Sequence, residues 1–241
     1  MSRTSPSPRA GRSQRAPGRI RDWLWAPGLL LIVAGLAVIW RLRLATDQAI
    51  YVSGFGATGM SSALAFNTAL GAIGVGGVLI AIAARQLPAS PALATGFFAS
   101  LAGASLSFVA ASRITCTMGC PIPFSPGASW QDAVHVALAC LGFGLALLAM
   151  FLSARFGRNF RRLVGPVLVF VALPAATGGI LSLLGLSPAI GGWLELTATT
   201  VALGWIVVFA AMLGAHQLRT RLASSPRVST GAPNPQAPLP R

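Results

Sequence analysis

Six long stretches of this 241-residue chain are almost free of charged side chains. Each is close to the ~20 residues that a helix needs to cross ~30 Å of hydrocarbon. Because lipid cannot hydrogen-bond backbone groups, such stretches must satisfy their own N–H and C=O groups as helices. The predicted spans are residues 23–40, 63–84, 92–112, 132–153, 163–184 and 193–214. The sequence therefore predicts an all-α, polytopic membrane protein, a bundle of six transmembrane helices over residues 23–214.

The two ends of the chain have a different composition from the spans. Residues 1–22 and 215–241 are rich in Arg, Pro and small polar residues and poor in apolar ones. Such segments cannot bury enough apolar surface to offset their chain entropy. We expect both to be disordered tails.

The charge is strongly positive, with 18 arginines, no lysine and a formal net charge of +14. A charge of this size can indicate nucleic-acid binding when it is gathered on one folded surface. Here the arginines lie in the tails and in short connections between apolar runs, which argues against nucleic acid and leaves the lipid bilayer as the predicted partner. Fifteen of the 18 lie on the side of the tails, so the positive-inside rule predicts that both termini are cytoplasmic. Abundant Arg without Lys is typical of a GC-rich bacterial genome, and the predicted location is a bacterial plasma membrane.

The loop between the third and fourth spans contains two of the three cysteines, Cys116 and Cys120. It is predicted to face outward, into a compartment that permits disulfides. A Cys-x-x-x-Cys spacing differs from the redox-active Cys-x-x-Cys, so a small structural disulfide is favoured, with free thiols or metal ligation as alternatives. Cys140, in mid-helix, is predicted to be a small buried apolar residue.

Asp132 and His135 lie three residues apart at the start of the fourth span, which places them on one helix face. An Asp and a His on one face can bind a divalent metal or act as a general base. Asp132 also has a structural explanation, because Ser129 three residues earlier makes an S-x-x-D capping pattern. His135 lies one turn further inside the apolar run and has no such explanation.

Glu195 is the one acid inside the sixth span, and Thr199 lies one turn deeper. Ionisable groups within a span are costly and usually face the bundle interior with a partner. Asn67 and Arg113 are predicted at similar depth, so the polar groups form one outer layer. We expect His135 and Glu195 to converge and supply each other's hydrogen bond. The layer is either a structural network, for instance with an Arg113–Glu195 ion pair, or a ligand or catalytic site.

These features resemble those of the bacterial multi-pass proteins catalogued as domain of unknown function 998. The resemblance covers about residues 23–214. It rests on the six spans, a loop containing Arg113, Cys116, Cys120 and Pro121, and the pair Asp132 and His135. It implies the membrane architecture and adds no activity or catalytic residue.

Three classes of function are compatible with the sequence. The favoured one is a non-catalytic structural, sensory or interaction role. The alternative is an outer-leaflet enzyme or lipid-handling protein that uses Asp132, His135 and Glu195, with a divalent metal as a conceivable cofactor. A small transporter is less favoured, because the sequence shows neither midplane charges nor an evident internal repeat.

Overall fold

The computed structural model describes residues 20–85, 87, 89–123, 125–183 and 186–224. Within them the chain forms six α-helices, each long and apolar enough to cross a membrane. They are α1 (Trp25–Leu44), α2 (Ala63–Ala84), α3 (Pro91–Ala111), α4 (Trp130–Ser153), α5 (Arg158–Leu183) and α6 (Pro188–Ser224). Short 3-10 helices occur at Ile20–Trp23, Ser53–Gly56 and Ala154–Phe156. The predicted all-α, six-helix membrane architecture is confirmed.

Consecutive helices are antiparallel neighbours, and α6 also packs against α1. We call the end with the connections after α1, α3 and α5 the loop end, and the opposite end, which includes the last turns of α6, the tail end. Helices α1 and α2 approach each other closely at Gly28 of α1 and Gly76 of α2. A Cβ on either glycine would lie 2.7 Å from the carbonyl oxygen of the other. Glycine is therefore required at this crossing, as expected where lipid supplies no hydrophobic drive for association.

Large apolar side chains are exposed on every helix. A water-soluble protein rarely leaves so much apolar surface uncovered, whereas a membrane protein presents it to lipid. Examples, one from each helix in order, are Leu30, Leu64, Leu106, Phe151, Phe170 and Val208.

The sixth helix is longer than predicted. It begins at Pro188 rather than residue 193 and continues to Ser224, so residues 215–224 are helical rather than a disordered tail. Its 37 residues extend about 55 Å, well beyond the hydrocarbon thickness. Residues 215–224 contain no Pro or Gly. The helix formed by the preceding apolar residues of α6 can therefore continue through them without a new nucleation step. The rest of the predicted disorder falls on residues 1–19 and 225–241, outside the described residues.

Two apolar clusters fill the bundle. The tail-end cluster is built around buried aromatic and long side chains, among them Phe97, Met150, Trp205, Phe209 and Leu213. The loop-end cluster is smaller and includes Ile39, Val52, Phe55, Phe66, Ile73 and Leu196. Residues of both clusters line the cavity described next.

Candidate functional site

An internal cavity of about 110 Å³ lies between the two clusters, and all of the helices except α5 contribute to its wall. Most of the wall is apolar, with aromatic rings at Phe66, Phe108, Phe143 and Trp205. Its polar side chains are few. They are Ser53, Ser105, His135, Glu195 and Thr199.

Glu195 is held at this cavity by the connection between α1 and α2. Its two carboxylate oxygens accept hydrogen bonds from the backbone N–H groups of Val52 (2.8 Å) and Ser53 (3.3 Å). These N–H groups open the short 3-10 helix Ser53–Gly56, and the first N–H groups of a helix have no partner within it. Glu195 therefore caps a helical turn that is distant in sequence. An anion is favoured at that position by the orientation of the peptide dipoles.

Two glycines at the start of α6 make this arrangement possible. A Cβ on Gly191 would overlap the ring of Tyr51, and a Cβ on Gly192 would overlap the carbonyl group of Ile50. The α1–α2 connection can thus lie directly against α6, one turn before Glu195.

His135 of α4 is 6% exposed, and its Nδ1 lies 2.7 Å from the carbonyl oxygen of Ile114. A carbonyl oxygen only accepts, so Nδ1 carries the proton and Nε2 of the neutral ring is an acceptor. No further hydrogen bond to His135 occurs among the described residues. The ring is thus oriented by one nitrogen and leaves the other available to the cavity.

The structure brings His135 and Glu195 to one cavity, but not to each other. Each hydrogen-bonds to backbone groups of a different connection, so the predicted mutual hydrogen bond is wrong. A connection folded against a helix end presents several backbone N–H and C=O groups at short range. Glu195 and His135 each hydrogen-bond to such backbone groups instead of to each other. Thr199 lines the same cavity, as its position one turn from Glu195 indicated.

Asp132 takes part in a separate hydrogen-bond network, away from the cavity. It completes a capping box with Ser129 at the start of α4. It also accepts hydrogen bonds from Thr117, from the backbone N–H at 2.7 Å and from the hydroxyl at 3.0 Å. Asp132 is completely buried and does not line the cavity. The carboxylate accepts hydrogen bonds from Ser129 and Thr117 and fastens the cysteine loop to α4. Its catalytic or metal-binding role stays a prediction.

Arg113 and Asn67 also lie outside the cavity wall. Arg113 is exposed at the end of α3, and among the described residues it forms no ion pair with Glu195. An exposed guanidinium at the membrane surface keeps its hydration, which a buried ion pair would forfeit. Asn67 donates to the carbonyl oxygen of Gly56 at 2.9 Å, so it fastens the α1–α2 connection to α2. Neither residue lines the cavity, and a binding role for them stays a prediction.

The loop between α3 and α4 contains the predicted disulfide, which joins Cys116 to Cys120. Cys116 is buried, and its carbonyl oxygen accepts from the N–H of Thr58 in the α1–α2 connection at 2.9 Å. The two connections are therefore linked to each other as well as to the helices. Cys140 is exposed rather than buried. It lies on the outer face of α4, where a small weakly polar side chain meets lipid at little cost.

Within the described part of the chain, no group of three or more His, Cys, Asp and Glu side chains is arranged to hold a metal ion. The cavity offers one imidazole and one carboxylate. A protein zinc site usually has at least three protein ligands. The predicted divalent metal therefore has no ligand set of that size here.

Three features of this site were missed by the sequence analysis. The Val52 and Ser53 N–H groups and the Ile114 carbonyl orient the two key side chains, and backbone groups leave no residue-type signal. The hydroxyl of Ser105 in the cavity wall donates to the carbonyl oxygen of Leu101, as serine hydroxyls within helices commonly do. The glycine-rich stretch from Ser53 to Gly59 was the one visible sign that this connection folds tightly.

Comparisons of the chain with protein-family models, curated proteins and solved structures found no match.

Proposed function

We propose that this chain is a non-catalytic, sensory membrane protein that binds a small amphipathic amine in its internal cavity. One observation carries the proposal. The cavity joins an apolar chamber to two hydrogen-bond acceptors, Glu195 and Nε2 of His135, that are oriented by backbone groups and not paired with each other. Small-molecule sites commonly combine an apolar wall with a few positioned polar groups.

The polar part of the ligand follows from the chemistry of these groups. Glu195 has no ion-pair partner among the described residues, and a carboxylate within a membrane span is costly without one. His135 presents an acceptor, because its proton is on Nδ1. A protonated amine supplies both a compensating charge and several N–H donors. A carboxylate ligand would instead meet two acceptors and a like charge.

The apolar part follows from the size and lining of the chamber. About 110 Å³ is somewhat smaller than a ~150 Å³ cavity that accepts benzene. Four aromatic side chains line the cavity wall, and rings attract a nearby cation through their faces. The ligand class is therefore a compact amine with a short branched chain and no ring.

Calorimetry or thermal-shift titration of the detergent-purified protein tests this proposal. The ligands are three compounds of similar size, namely isobutylamine, isobutanol and isobutyrate. We expect isobutylamine to bind most tightly and isobutyrate not at all. In Glu195→Gln the preference for isobutylamine over isobutanol should fall about tenfold or more, as loss of one charge-assisted hydrogen bond implies.

A matched pair of variants on α6 controls for general effects. Thr199 lines the cavity, whereas Thr197 is exposed and bonds to its own helix at the carbonyl of Trp193. Thr199→Val should alter isobutylamine binding, and Thr197→Val should not. Equal binding of all three compounds, or equal effects of the two threonine variants, would contradict the proposal.

The enzyme alternative is weakened by the position of Asp132. It required three groups, and Asp132 is occupied by the capping box and by Thr117. His135 retains an unprotonated nitrogen suited to a general base, but the second group at the cavity, Glu195, is held as an acceptor by two backbone N–H groups.

We also propose that the protein lies in a bacterial plasma membrane with both termini in the cytoplasm. The arginine distribution supports this orientation, since 15 of the 18 arginines lie at the tail end or in the tails. Phosphatase and fluorescent-protein fusions at Ser125 and at the C-terminus should report opposite sides. The same side for both positions would reject this topology. The resemblance to domain of unknown function 998 stays a prediction.

A further inference from the structure

A second pocket, of about 160 Å³, lies at the tail end between the start of α1 and the last turns of α6. Trp23, Trp25, Gln217 and Arg221 contribute to its wall. A Cβ on Gly214 would lie 2.6 Å from the indole of Trp25, so glycine allows that ring to lie flat against α6. The pocket shares no residue with the amine cavity and is independent of the function proposed for it.

Gln217 is the informative residue of this pocket. It is only 8% exposed, and among the described residues neither its Nε2 nor its Oε1 has a hydrogen-bond partner. Buried amide groups are nearly always satisfied, and one left unsatisfied needs an explanation. A complementary ligand must offer an acceptor to Nε2 and a donor to Oε1.

The neighbouring side chains indicate which acceptor this is. The guanidinium carbon of Arg221 lies 4.7 Å from the centroid of the Trp23 ring, and stacking on an aromatic face fixes the orientation of the guanidinium. Guanidinium groups pair with phosphate through parallel hydrogen bonds. Tryptophans at the end of a span lie at the level of the lipid headgroups. The acceptor expected at this depth is a lipid phosphate.

We propose that this pocket binds the headgroup of a phospholipid that carries both a phosphate and a hydrogen-bond donor. The phosphate oxygens accept from Gln217 Nε2 and from Arg221, and a headgroup hydroxyl or ammonium donates to Gln217 Oε1. Phosphatidylglycerol meets both conditions and is anionic. Phosphatidylethanolamine meets both conditions without net charge. Phosphatidylcholine has the phosphate but no donor.

Native mass spectrometry of the detergent-purified full chain, titrated with each lipid in turn, tests the proposal. We expect binding to decrease from phosphatidylglycerol to phosphatidylethanolamine to phosphatidylcholine. Comparing phosphatidylethanolamine with phosphatidylcholine isolates the contribution of the headgroup hydrogen-bond donor, because both lipids are zwitterions. Gln217→Leu should weaken phosphatidylglycerol binding about tenfold and abolish the preference for phosphatidylethanolamine over phosphatidylcholine.

Gln48→Leu is the matched control, because Gln48 is exposed in the connection at the loop end. Gln217→Glu is a second variant of nearly identical shape that should repel the phosphate. Equal lipid binding by wild type, Gln217→Leu and Gln48→Leu would overturn the proposal. Glycerol 3-phosphate distinguishes a lipid site from a site for soluble phosphates. If it displaces phosphatidylglycerol at equal concentration, the lipid assignment is wrong.

Discussion

The two ends of the bundle are held together in different ways. At the tail end, rings pack on rings, and the Phe209 centroid lies 5.0 Å from that of Phe97 and 5.6 Å from that of Trp205. At the loop end, carboxylates bond to backbone N–H groups, as Glu195 does with Val52 and Asp132 with Thr117. The loop end places two hydrogen-bond acceptors at the amine cavity, whereas the core of the tail end is held by apolar contacts between rings.

This difference indicates how a membrane protein can keep an ionisable residue inside a span. Within a helix the backbone N–H groups are already used, so a carboxylate in mid-span would lack donors. A connection that folds back against a helix supplies unused N–H groups at its first turn. The polar site therefore occurs where connections meet helices, and its geometry depends on the integrity of those connections.

The largest expected effect is at the aromatic end. Phe209→Ala should lower the free energy of unfolding by about 3 kcal/mol, because it opens a cavity among rings that cannot close in around it. The fully buried Phe209 has a matched control in Phe170, which is 62% exposed on α5. Phe170→Ala should change stability by no more than about 0.5 kcal/mol. Thermal or denaturant unfolding in one detergent measures both, and equal losses would show that the aromatic cluster is not the stabilising region.

The second effect tests whether the loop end depends on its covalent link. Reduction of the Cys116–Cys120 bridge, or its replacement by serines, should cost about 2 kcal/mol by the loop-closure estimate for so short a loop. Thiol labelling followed by mass spectrometry verifies the bridge first. Cys140 is free, so in the denatured protein it should label without reductant and acts as an internal control. Labelling of all three cysteines without reductant would contradict the bridge.

The third effect concerns the attachment of the cysteine loop to α4. Asp132→Asn keeps the shape but loses the charge that strengthens the bonds from Thr117 and Ser129, and it should cost about 1 kcal/mol. Asp47 is an exposed acid of the α1–α2 connection and provides the matched control. Asp47→Asn should be nearly neutral in the same unfolding assay. If the two variants lose equal stability, the capping box contributes nothing beyond surface charge.

The two ends also differ in how well the sequence predicted them. Helix number and location follow from length and hydropathy, and the predicted bounds of α2 match the structure to the residue, with Arg85 directly after its last helical residue. The capping role of Asp132 followed from the Ser129 spacing. The partners of Glu195 and His135 could not be predicted, since both are backbone groups from distant connections. Side-chain patterns predict which residues are polar and buried, but not which peptide group will reach them.

The smallest effect separates a structural network from a ligand site. Glu195 and His135 line one cavity but share no hydrogen-bond partner among the described residues. A double-mutant cycle of Glu195→Gln and His135→Ala should therefore show coupling below about 0.5 kcal/mol in the unliganded protein. Asp132→Asn with Thr117→Val is the positive control, because these residues bond directly, and its coupling should be about 1 kcal/mol. With isobutylamine bound, the Glu195–His135 coupling should rise, since one ammonium then contacts both acceptors. Strong coupling without ligand would mean that the two groups stabilise the bundle through each other, and coupling that never rises would mean that no ligand joins them.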